Sequence, residues 1–344
     1  MNIILDKIGS VTKNIPLDHQ VKISDNIEST NGLVLAVKVL DDKKVYNQLE
    51  LVTGRLSKLK KGDKIAVALG NRKALKGFVG EIPEKLQVGD IINILNLGGV
   101  AGICTSENFY EVGHALKVEV LGVIFIDGYP VNIQDYKLFE HKDHLDSSVP
   151  LIVVSGTCMS VGKTTVACEI IKHLTDNGYK VNCAKLAGVA ALRDTENMRD
   201  YGAKVAVSFL DAGFASTVKS NGKSLLTTKG AIDYLSQDNP DYIVIEFGDG
   251  IFGEYGVMEI IKDNEIQNNM IAHIGCAHDP MGAAKLIEIC DEIGSPIDII
   301  SGPVSDNCVG EDFIRKKLFL PSFNAISNGK ELFDNLYSLC LRNN

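Results

Sequence analysis

The sequence has no tryptophan, only nine prolines among 344 residues, and aromatic residues make up 6% of it. It also has no apolar run that approaches the roughly 20 residues of a membrane-spanning helix. Its first ten residues, MNIILDKIGS, contain an early acidic side chain and no long apolar stretch, unlike a secretory signal peptide. We therefore expect a cytoplasmic protein that does not associate with a membrane.

Paired cysteines are also missing. The eight cysteines form no CxxC pair and do not have zinc-finger spacing. Isolated cysteines in a reducing compartment are mostly small buried apolar residues. No serine or cysteine nucleophile accompanies a histidine and an acid at a recognisable spacing, which argues against a hydrolase triad.

Positive charge is scarce in the second half of the chain. Residues 1–150 carry 18 basic and 19 acidic residues, whereas residues 151–344 carry 17 and 25. Nucleic-acid binding needs a basic surface, so this balance argues against a nucleic-acid partner. One basic cluster, Arg55 to Lys76, contains eight cations and one acid. It is either the solvated rim of a small β domain or a guide for an anionic partner.

Two patterns of apolar residues divide the chain. Short apolar segments between glycine turns predict strands at 32–40, 64–70, 90–97 and 117–126, which is typical of a small barrel or sandwich. The charged stretch that ends in Pro150 has the composition of a linker. After it, apolar strands alternate with helical segments, which predicts a parallel sheet covered on both faces.

These patterns predict an α/β protein in three parts. Residues 1–136 form a small β-rich, barrel-like domain, residues 137–150 a linker, and residues 151–344 a mostly parallel, doubly wound domain. In the last part the predicted strands cover 151–156, 180–188, 241–248, 268–275 and 295–302, and the predicted helices cover 161–178, 196–210, 228–237, 281–293, 308–317 and 329–341.

A glycine-rich loop lies between the first predicted strand and the first predicted helix of this domain. Its ten residues are Gly156, Thr157, Cys158, Met159, Ser160, Val161, Gly162, Lys163, Thr164 and Thr165. The backbone N–H groups of such a loop bind phosphate, the lysine reaches the β and γ phosphates, and the threonine binds Mg²⁺. The loop therefore predicts a nucleotide site, with ATP or GTP and Mg²⁺ as ligands.

The loop has one residue more between its two glycines than the pattern GxxxxGK[ST]. In this form, GTxxxVGKT, it resembles dethiobiotin synthetase and, more widely, the SIMIBI class of P-loop NTPases, which includes the cobyrinic acid amide synthetases and the molybdopterin-guanine dinucleotide accessory ATPases. The resemblance covers roughly residues 151–310. The segment DAGFAST (211–217) is similar to one in a little-characterised branch of P-loop proteins.

The resemblance to dethiobiotin synthetase implies roles for several residues. Lys185 ends the second strand of the domain, where that family has a lysine that contacts the reacting groups. Glu246 ends a later apolar strand and is the first candidate ligand for Mg²⁺, with Asp249 as the second. Cys158 stands where the family has an aspartate, and the family's Pro-Val after the lysine is replaced here, so the substrate does not carry over.

Two arginines lie in the connection between the second strand and Glu246. In doubly wound sheets this connection faces the crevice where a second ligand binds. Arg193 and Arg199 are therefore candidates for binding a substrate carboxylate or phosphate, or else they form ion pairs on a helix surface. Asp194, which precedes Thr195, is interpreted as a helix cap.

Three potential metal ligands follow the predicted strand 268–275. His273, Cys276 and His278 form an open transition-metal site, or else His273 is a core histidine with satisfied hydrogen bonds and Cys276 is a small apolar residue. His278 is also a candidate for contacting the substrate. Further along, Asn307 follows a strand where the resemblance implies a base-contacting loop, but it has equal grounds as the cap of the next helix.

The expected function is ATP-dependent phosphoryl transfer, with Lys163, Lys185 and Glu246 as the catalytic residues. The substrate is a small acidic metabolite whose carboxylate, carbamate or hydroxyl attacks the γ phosphate, as in a kinase or ligase. The alternative is a nucleotide-driven switch that delivers a metal or cofactor to a partner protein. A weaker alternative is a polynucleotide 5′-hydroxyl kinase. The resemblance also implies a homodimer.

Overall fold

The computed structural model describes residues 1–220 and 222–341, and the chain folds into two compact units. The first unit contains Met1–Leu138 together with two later segments, Val189–Arg193 and Phe209–Lys219. The second unit contains Phe139–Gly188, Asp194–Ser208 and the chain from Ser220 onward. Two short stretches from the second half of the sequence therefore belong to the N-terminal unit.

The regular secondary structure of the first unit consists mainly of strands. They are β1 (Asn2–Ile4), β2 (Lys7–Ile8), β3 (Gln20–Ser24), β4 (Val34–Val39), β5 (Gln48–Glu50), β6 (Leu56–Lys58), β7 (Lys64–Leu69), β8 (Arg72–Lys73), β9 (Phe78–Glu81), β10 (Ile91–Ile94), β11 (Val100–Glu107), β12 (Leu116–Ile126) and β13 (Tyr129–Pro130). Its helical segments are α1 (Phe109–Val112) and the 3₁₀ turns Ser10–Thr12, Ile133–Tyr136 and Phe209–Ala212.

Five of these strands close into a ring. β4 pairs with β7 and with β12, β10 pairs with β11 and with β12, and β7 and β11 pair with each other in parallel. The ring encloses apolar side chains, among them the fully buried Leu35, Val37, Ile65, Val67 and Val118. These alternate with outward-facing residues, as expected for a small barrel whose interior is filled. The prediction of a barrel-like β-rich domain is confirmed.

The second unit alternates strands and helices. Its strands are β14 (Leu151–Gly156), β15 (Val181–Ala187), β16 (Ala206–Ser208), β17 (Tyr242–Phe247), β18 (Met270–Cys276) and β19 (Ile299–Ser301). Its helices are α2 (Lys163–Asp176), α3 (Arg193–Asp200, of which Arg193 lies in the first unit), α4 (Lys223–Ser236), α5 (Val257–Ile261), α6 (Asn264–Asn269), α7 (Pro280–Glu292), α8 (Cys308–Phe313) and α9 (Gly329–Leu336), with a 3₁₀ turn at Pro303–Ser305 and π turns at Ile314–Leu318 and Tyr337–Leu341.

The six strands form one parallel sheet in the order β16, β15, β17, β14, β18, β19. β14 and β17 have almost no exposed surface, because a parallel sheet is covered by helices on both faces. The carboxyl ends of β14, β15 and β17 lie side by side at one edge. The predicted parallel α/β fold is confirmed, and its order places three loops that bear polar residues next to one another.

The connection after β15 differs from the prediction. Residues 196–210 were predicted as one helix, but α3 ends at Asp200 and Ala206–Ser208 forms the edge strand β16. A strand of three residues gives no periodic signal, and its pairing with β15 stabilises it. Asp194 is not a helix cap, because α3 already begins at Arg193.

Residues 139–149 are fixed within the second unit. The buried carboxylate of Asp233 accepts hydrogen bonds from the backbone N–H groups of Asp146 at 3.1 Å and Ser147 at 2.9 Å. The N–H of Lys142 donates to the carbonyl of Leu226 at 3.0 Å. The stretch predicted as a linker thus packs along α4.

The seven cysteines whose side chains the structure describes are free thiols, and the side chain of Cys340 lies outside the described part. Most of the seven are buried, as expected for small apolar residues. Among the described residues, no helix combines the length and the hydropathy needed to cross a bilayer.

Candidate nucleotide-binding site

The phosphate loop joins the buried strand β14 to the long helix α2. Gly162, immediately before the helix, has φ +86°, a left-handed conformation that favours glycine. Ser160 also has a positive φ of +61°. The N-cap residue Gly162 has no side chain that could cap α2, and N–H groups at the start of a helix can bind phosphate oxygens.

Lys163 is the first residue of α2 and is almost fully buried. Its Nζ donates a 2.6 Å hydrogen bond to the backbone carbonyl of Cys158, within the same loop. Burial lowers the pKa of the Lys163 ammonium group, and the nearby carboxylate of Glu246 opposes that shift. The lysine is therefore directed into the loop that its sequence motif assigns to phosphate binding.

Thr164 and Glu246 meet beside this lysine. The Thr164 hydroxyl donates a 2.7 Å hydrogen bond to Oε1 of Glu246, which lies near the carboxyl end of β17. The second carboxylate oxygen, Oε2, is buried and has no hydrogen-bond partner among the described residues. A buried, unsatisfied carboxylate oxygen next to a threonine hydroxyl fits a hard divalent cation such as Mg²⁺, which prefers oxygen ligands.

Lys185 reaches the same place from the neighbouring strand. The register of β15 and β17 pairs Lys185 with Glu246. The Lys185 ammonium group forms an ion pair with the carboxylate of Asp194, in the first turn of α3. The site thus has a second cation, held by its own counterion.

These groups share a cavity of about 340 Å³ within the second unit. The cavity is lined by Met159, Ser160, Gly162, Lys163, Thr164, Thr165, Lys185, Asp194, Glu246 and Gly248. The structure therefore brings together the three residues predicted as catalytic and the glycine-threonine end of the phosphate loop. It also adds Asp194, which the sequence analysis did not assign to a site.

The loop after β17 packs against the phosphate loop. The N–H of Ile251 donates a 3.0 Å hydrogen bond to the carbonyl of Gly156. Burial raises the pKa of the Asp249 carboxyl group, and the Gly250 N–H and the Lys163 charge oppose this shift. Residues 248–253 read GxGxxG, but α5 begins only at Val257, so the loop is not the helix-opening fingerprint of a dinucleotide site.

The transition-metal interpretation of His273, Cys276 and His278 is wrong. His273 lies inside β18 with its ring fully enclosed, where the Ser155 hydroxyl donates to Nε2 at 2.7 Å and Nδ1 donates to the Ser295 carbonyl at 3.0 Å. Burial lowers the pKa of His273 to about 4. Among the described residues, no three or more His, Cys, Asp or Glu side chains are arranged to hold a metal ion.

The other candidate substrate residues lie elsewhere. The cavity lining does not include Arg193, Arg199 or His278, and His278 is exposed. Arg199 forms an ion pair with Glu196 and donates to the carbonyl of Ala206, as the helix-surface interpretation predicts. The roles of Arg193 and His278 stay predictions.

Asn307 caps the helix that follows it. Its side-chain oxygen accepts a 3.0 Å hydrogen bond from the N–H of Val309 at the start of α8. This is the capping alternative that the sequence left open beside base contact. A contact between Asn307 and a nucleotide base stays a prediction.

No protein-family model matches the sequence, and the search among curated proteins found no match. Among solved structures, the chain is similar to chloroplast FtsY from Physcomitrella patens, with 14% identity and a TM-score of 0.37 over 56% of this chain and 66% of that one. It is also similar to a DUF1611 family protein from Anabaena variabilis, with 15% identity and a TM-score of 0.39 over 58% and 62%, respectively. The cell division protein FtsY of Thermotoga maritima gives 17% identity and a TM-score of 0.36 over 55% and 66%.

The chain spans just under two thirds of the length of each of these three proteins. Likeness at this identity and TM-score carries no argument about function. The class of the protein is therefore defined by its own geometry. A parallel sheet with a glycine-rich loop between its strand β14 and helix α2, with Lys163 and Thr164 opening that helix, is a P-loop nucleotide-binding fold.

Proposed function

We propose that the protein binds a nucleoside triphosphate with Mg²⁺ at the phosphate loop and transfers its γ-phosphoryl group to a small acidic acceptor. We propose ATP as the nucleotide, with GTP as the alternative that the loop motif leaves open, and we assign the protein to the SIMIBI class. The observation that carries the proposal is the shared cavity of Lys163, Thr164, Glu246 and Lys185. It holds two cations and one buried carboxylate, the groups that phosphoryl transfer requires.

The phosphate loop binds the triphosphate. Its N–H groups and the start of α2 bind phosphate oxygens, and Lys163 exchanges the Cys158 carbonyl for an oxygen of the β or γ phosphate. Thr164 and Glu246 would hold Mg²⁺, which neutralises charge on the β and γ phosphates when it is bound. Charge neutralisation and in-line positioning are the main sources of rate enhancement in this chemistry.

Lys185 and Asp194 are the residues that we assign to acceptor binding. Lys185 binds the acidic group of the acceptor and orients its oxygen, while Asp194 holds the lysine until the acceptor arrives. The acceptor oxygen forms a bond to the γ phosphorus as the bond from that phosphorus to the bridging oxygen breaks. The products are a phosphorylated acceptor and a nucleoside diphosphate.

A nucleotide-driven switch is the second candidate function. The observation that favours it is the membership of residues 189–193 and 209–219 in the first unit, although they follow strands β15 and β16 of the second. A change in α3 on binding of the γ phosphate would then reach the barrel through the chain itself. The barrel would be the docking module for a partner protein.

Nucleotide binding and turnover test both proposals. We expect heat of association with Mg²⁺ and either ATP or GTP in calorimetry, and Lys163→Ala should abolish both binding heat and turnover. The matched control is Lys172→Ala, since Lys172 is exposed on the same helix. Wild-type protein without binding heat, or Lys163→Ala with near wild-type hydrolysis, would refute the phosphate-loop assignment.

The same assay separates the candidate functions. Turnover that rises with a pool of small carboxylic acids supports the phosphoryl-transfer enzyme. Turnover that is unchanged by metabolites but rises when a co-purifying protein is added supports the switch. Stimulation by oligonucleotides would instead support the polynucleotide kinase that the acidic second half argues against.

A further inference from the structure

Charged side chains of both signs line the phosphate-loop cavity, and all of them belong to the second unit. Two are positive and two are negative, namely Lys163, Lys185, Asp194 and Glu246. Lys163 and Glu246 contact the phosphate loop and the start of α2, where we place the triphosphate and Mg²⁺. The ion pair of Lys185 and Asp194 is therefore the charged pair that is left for the acceptor.

This ion pair is open to the cavity rather than sealed in the core. The Asp194 side chain keeps 22% of its surface exposed, and the Lys185 side chain keeps 13%. The two residues come from different elements, since Asp194 lies in the first turn of α3 and Lys185 lies in β15. An ion pair that reaches solvent contributes little to stability, so an acceptor can open it at little cost.

The charge balance of the cavity favours an acceptor that has a hydrogen to donate. When an acidic group of the acceptor takes Lys185, the Asp194 carboxylate loses its counterion and shares the cavity with the negative charges of the acceptor and the γ phosphate. Like charges in one small cavity repel, unless a donor forms a hydrogen bond to the carboxylate. An ionised carboxylate can only accept, so the donor must be on the acceptor. A hydroxyl is such a donor, and its oxygen can attack the γ phosphorus.

The size of the cavity limits the acceptor. Its volume of about 340 Å³ is near the lower end of the range for small-molecule pockets, roughly 300–1,000 Å³. The γ phosphate must occupy part of this volume, because Lys163 and Thr164 of the phosphate loop line the same cavity. We therefore expect an acceptor of only a few carbon atoms.

We propose that Asp194 is a catalytic residue that accepts the proton of an acceptor hydroxyl, and that the acceptor is a small hydroxy acid. The acidic group of the acceptor binds Lys185, and its hydroxyl donates a hydrogen bond to Asp194. This inference rests on the proposed function and narrows its acceptor, because it excludes a carboxylate oxygen as the attacking atom.

The proton and the electron pairs balance in this step. The hydroxyl oxygen forms a bond to the γ phosphorus while its proton moves to the Asp194 carboxylate. The bond from the phosphorus to the bridging oxygen breaks, and its electron pair stays on the nucleoside diphosphate. The acceptor leaves as a phosphomonoester, and Asp194, whose side chain is partly exposed, returns the proton to water.

Hydrolysis by water tests Asp194 without knowledge of the natural acceptor, because water also loses a proton when it attacks the γ phosphorus. Asp194→Asn should lower the basal rate of phosphate release about 100-fold and leave the nucleotide Kd within about threefold. Asp194→Glu keeps a carboxylate and should recover part of the rate. The matched control is Glu196→Gln, in the same turn of α3 but paired with Arg199 and absent from the cavity lining, which should keep the wild-type rate.

A double-mutant cycle separates proton transfer from the mere holding of Lys185. If Asp194 acted only by holding the lysine, Asp194→Asn would have no further effect in the Lys185→Ala variant. As a proton acceptor it should lower the single-turnover hydrolysis rate of that variant by about tenfold or more. No further loss in the double variant, or a wild-type rate in Asp194→Asn alone, would overturn the catalytic role.

Pairs of acids that differ by one hydroxyl test the acceptor class. Glycolate and acetate, lactate and propionate, and malate and succinate are each incubated with the full chain, Mg²⁺ and ATP or GTP labelled at the γ phosphate. We expect transfer of label to a hydroxy acid and none to its hydroxyl-free partner. The labelled product should survive neutral hydroxylamine, which cleaves acyl phosphates and spares phosphomonoesters.

The outcomes that contradict the inference differ from those that contradict the proposed function. Transfer to the hydroxyl-free acids, a product that hydroxylamine destroys, or no transfer to any of the hydroxy acids would overturn the acceptor class while nucleotide turnover remains. A wild-type protein that turns over no nucleotide, with or without these acids, would overturn the proposed function and this inference together.

Discussion

The Thr164 hydroxyl and the Glu246 carboxylate are joined by a 2.7 Å hydrogen bond, although they lie 82 residues apart in the chain. Thr164 is on the first turn of α2, and Glu246 is near the end of the strand that pairs with β14. The register of β14 and β17, which pairs Val154 with Glu246, brings the carboxylate to the base of the phosphate loop. This relationship defines where a cation would lie.

Replacement of Glu246 should therefore separate metal binding from nucleotide binding. Glu246→Gln keeps the shape of the side chain and removes its charge. It should lower Mg²⁺-dependent turnover about 100-fold and raise the Mg²⁺ concentration needed for half-maximal rate, because an anionic oxygen ligand is lost. Steady-state rates over a Mg²⁺ titration measure both changes.

The control for this change is Glu259→Gln, an exposed glutamate on α5. It should keep the wild-type Mg²⁺ dependence. If Glu246→Gln also showed the wild-type titration, Glu246 would have no role at the metal.

Lys185 should affect turnover more than affinity. Lys185→Ala removes the cation that we place at the acceptor and leaves the phosphate loop intact. Nucleotide affinity should stay within about threefold, and turnover should fall about 100-fold, since the lysine acts on the transferred group. Calorimetry for affinity and a phosphate-release assay for rate give the two numbers, and an unchanged rate would remove Lys185 from the mechanism.

The phosphate loop could be recognised from the sequence because the residues that bind phosphate and Mg²⁺ are consecutive. A loop whose lysine and threonine open a helix needs no long-range information, so Lys163 and Thr164 could be assigned from the sequence. Lys185 and Glu246 were assigned from the resemblance to dethiobiotin synthetase. They lie close together because each is near the carboxyl end of a parallel strand, and parallel strands end at a common edge.

Asp194 and Glu50 could not be assigned in the same way. Asp194 has a local pattern that equally suits a helix cap, and only the ion pair with Lys185 shows its place. The Glu50 carboxylate accepts the backbone N–H groups of Leu192 and Arg193, which lie 142 and 143 residues further along the chain. Nothing in the sequence around QLE at 48–50 signals these contacts. Contacts of that separation depend on the tertiary fold, which no periodicity encodes.

The strand pairing of the barrel also could not be fully predicted from the sequence. Glycine turns and short apolar runs predicted strands at β4, β7, β10 and β12. They did not predict β11, which pairs with β7 in parallel and with β10 in the antiparallel sense. The class of the domain follows from local patterning, but the pairing that closes the ring does not.

Gly250 should be intolerant of any side chain. A Cβ at this position would lie 2.1 Å from the carbonyl oxygen of Thr157, a backbone atom of the phosphate loop. Gly250→Ala must therefore displace one of the two loops, and it should weaken nucleotide binding about tenfold and lower the stability by about 2 kcal/mol. Calorimetric titration and denaturant unfolding measure these effects.

Gly282→Ala is the matched control for this prediction. Its Cβ would meet the Cγ2 methyl of the same Thr157 at 3.3 Å, a side-chain atom that can move. Nucleotide affinity should stay near the wild-type value. Equal losses in the two variants would show that crowding of Thr157 itself, rather than of the loop backbone, matters.

His273 should give the folded state a pH dependence that is unrelated to catalysis. Its ring is buried in β18 between Ser155 and Ser295, and burial lowers its pKa from 6.5 to about 4. Between these two values the unfolded chain binds a proton that the folded chain does not. The free energy of unfolding is therefore unaffected by His273 above pH 6.5. As the pH drops from 6.5 toward 4, titration of His273 lowers the free energy of unfolding by about 3 kcal/mol.

Urea unfolding of wild type and His273→Gln from pH 7.5 to pH 4.5 isolates this contribution. The variant starts from a lower stability, because it disturbs two buried hydrogen bonds, but it should lose less on acidification than the wild type does. Asp298 accepts the backbone N–H of His273, and burial raises the pKa of its carboxyl group, which gives a slope of the opposite sign. Since that backbone contact survives the substitution, the difference between the two curves belongs to the imidazole alone, and parallel curves would show that His273 is not held neutral by burial.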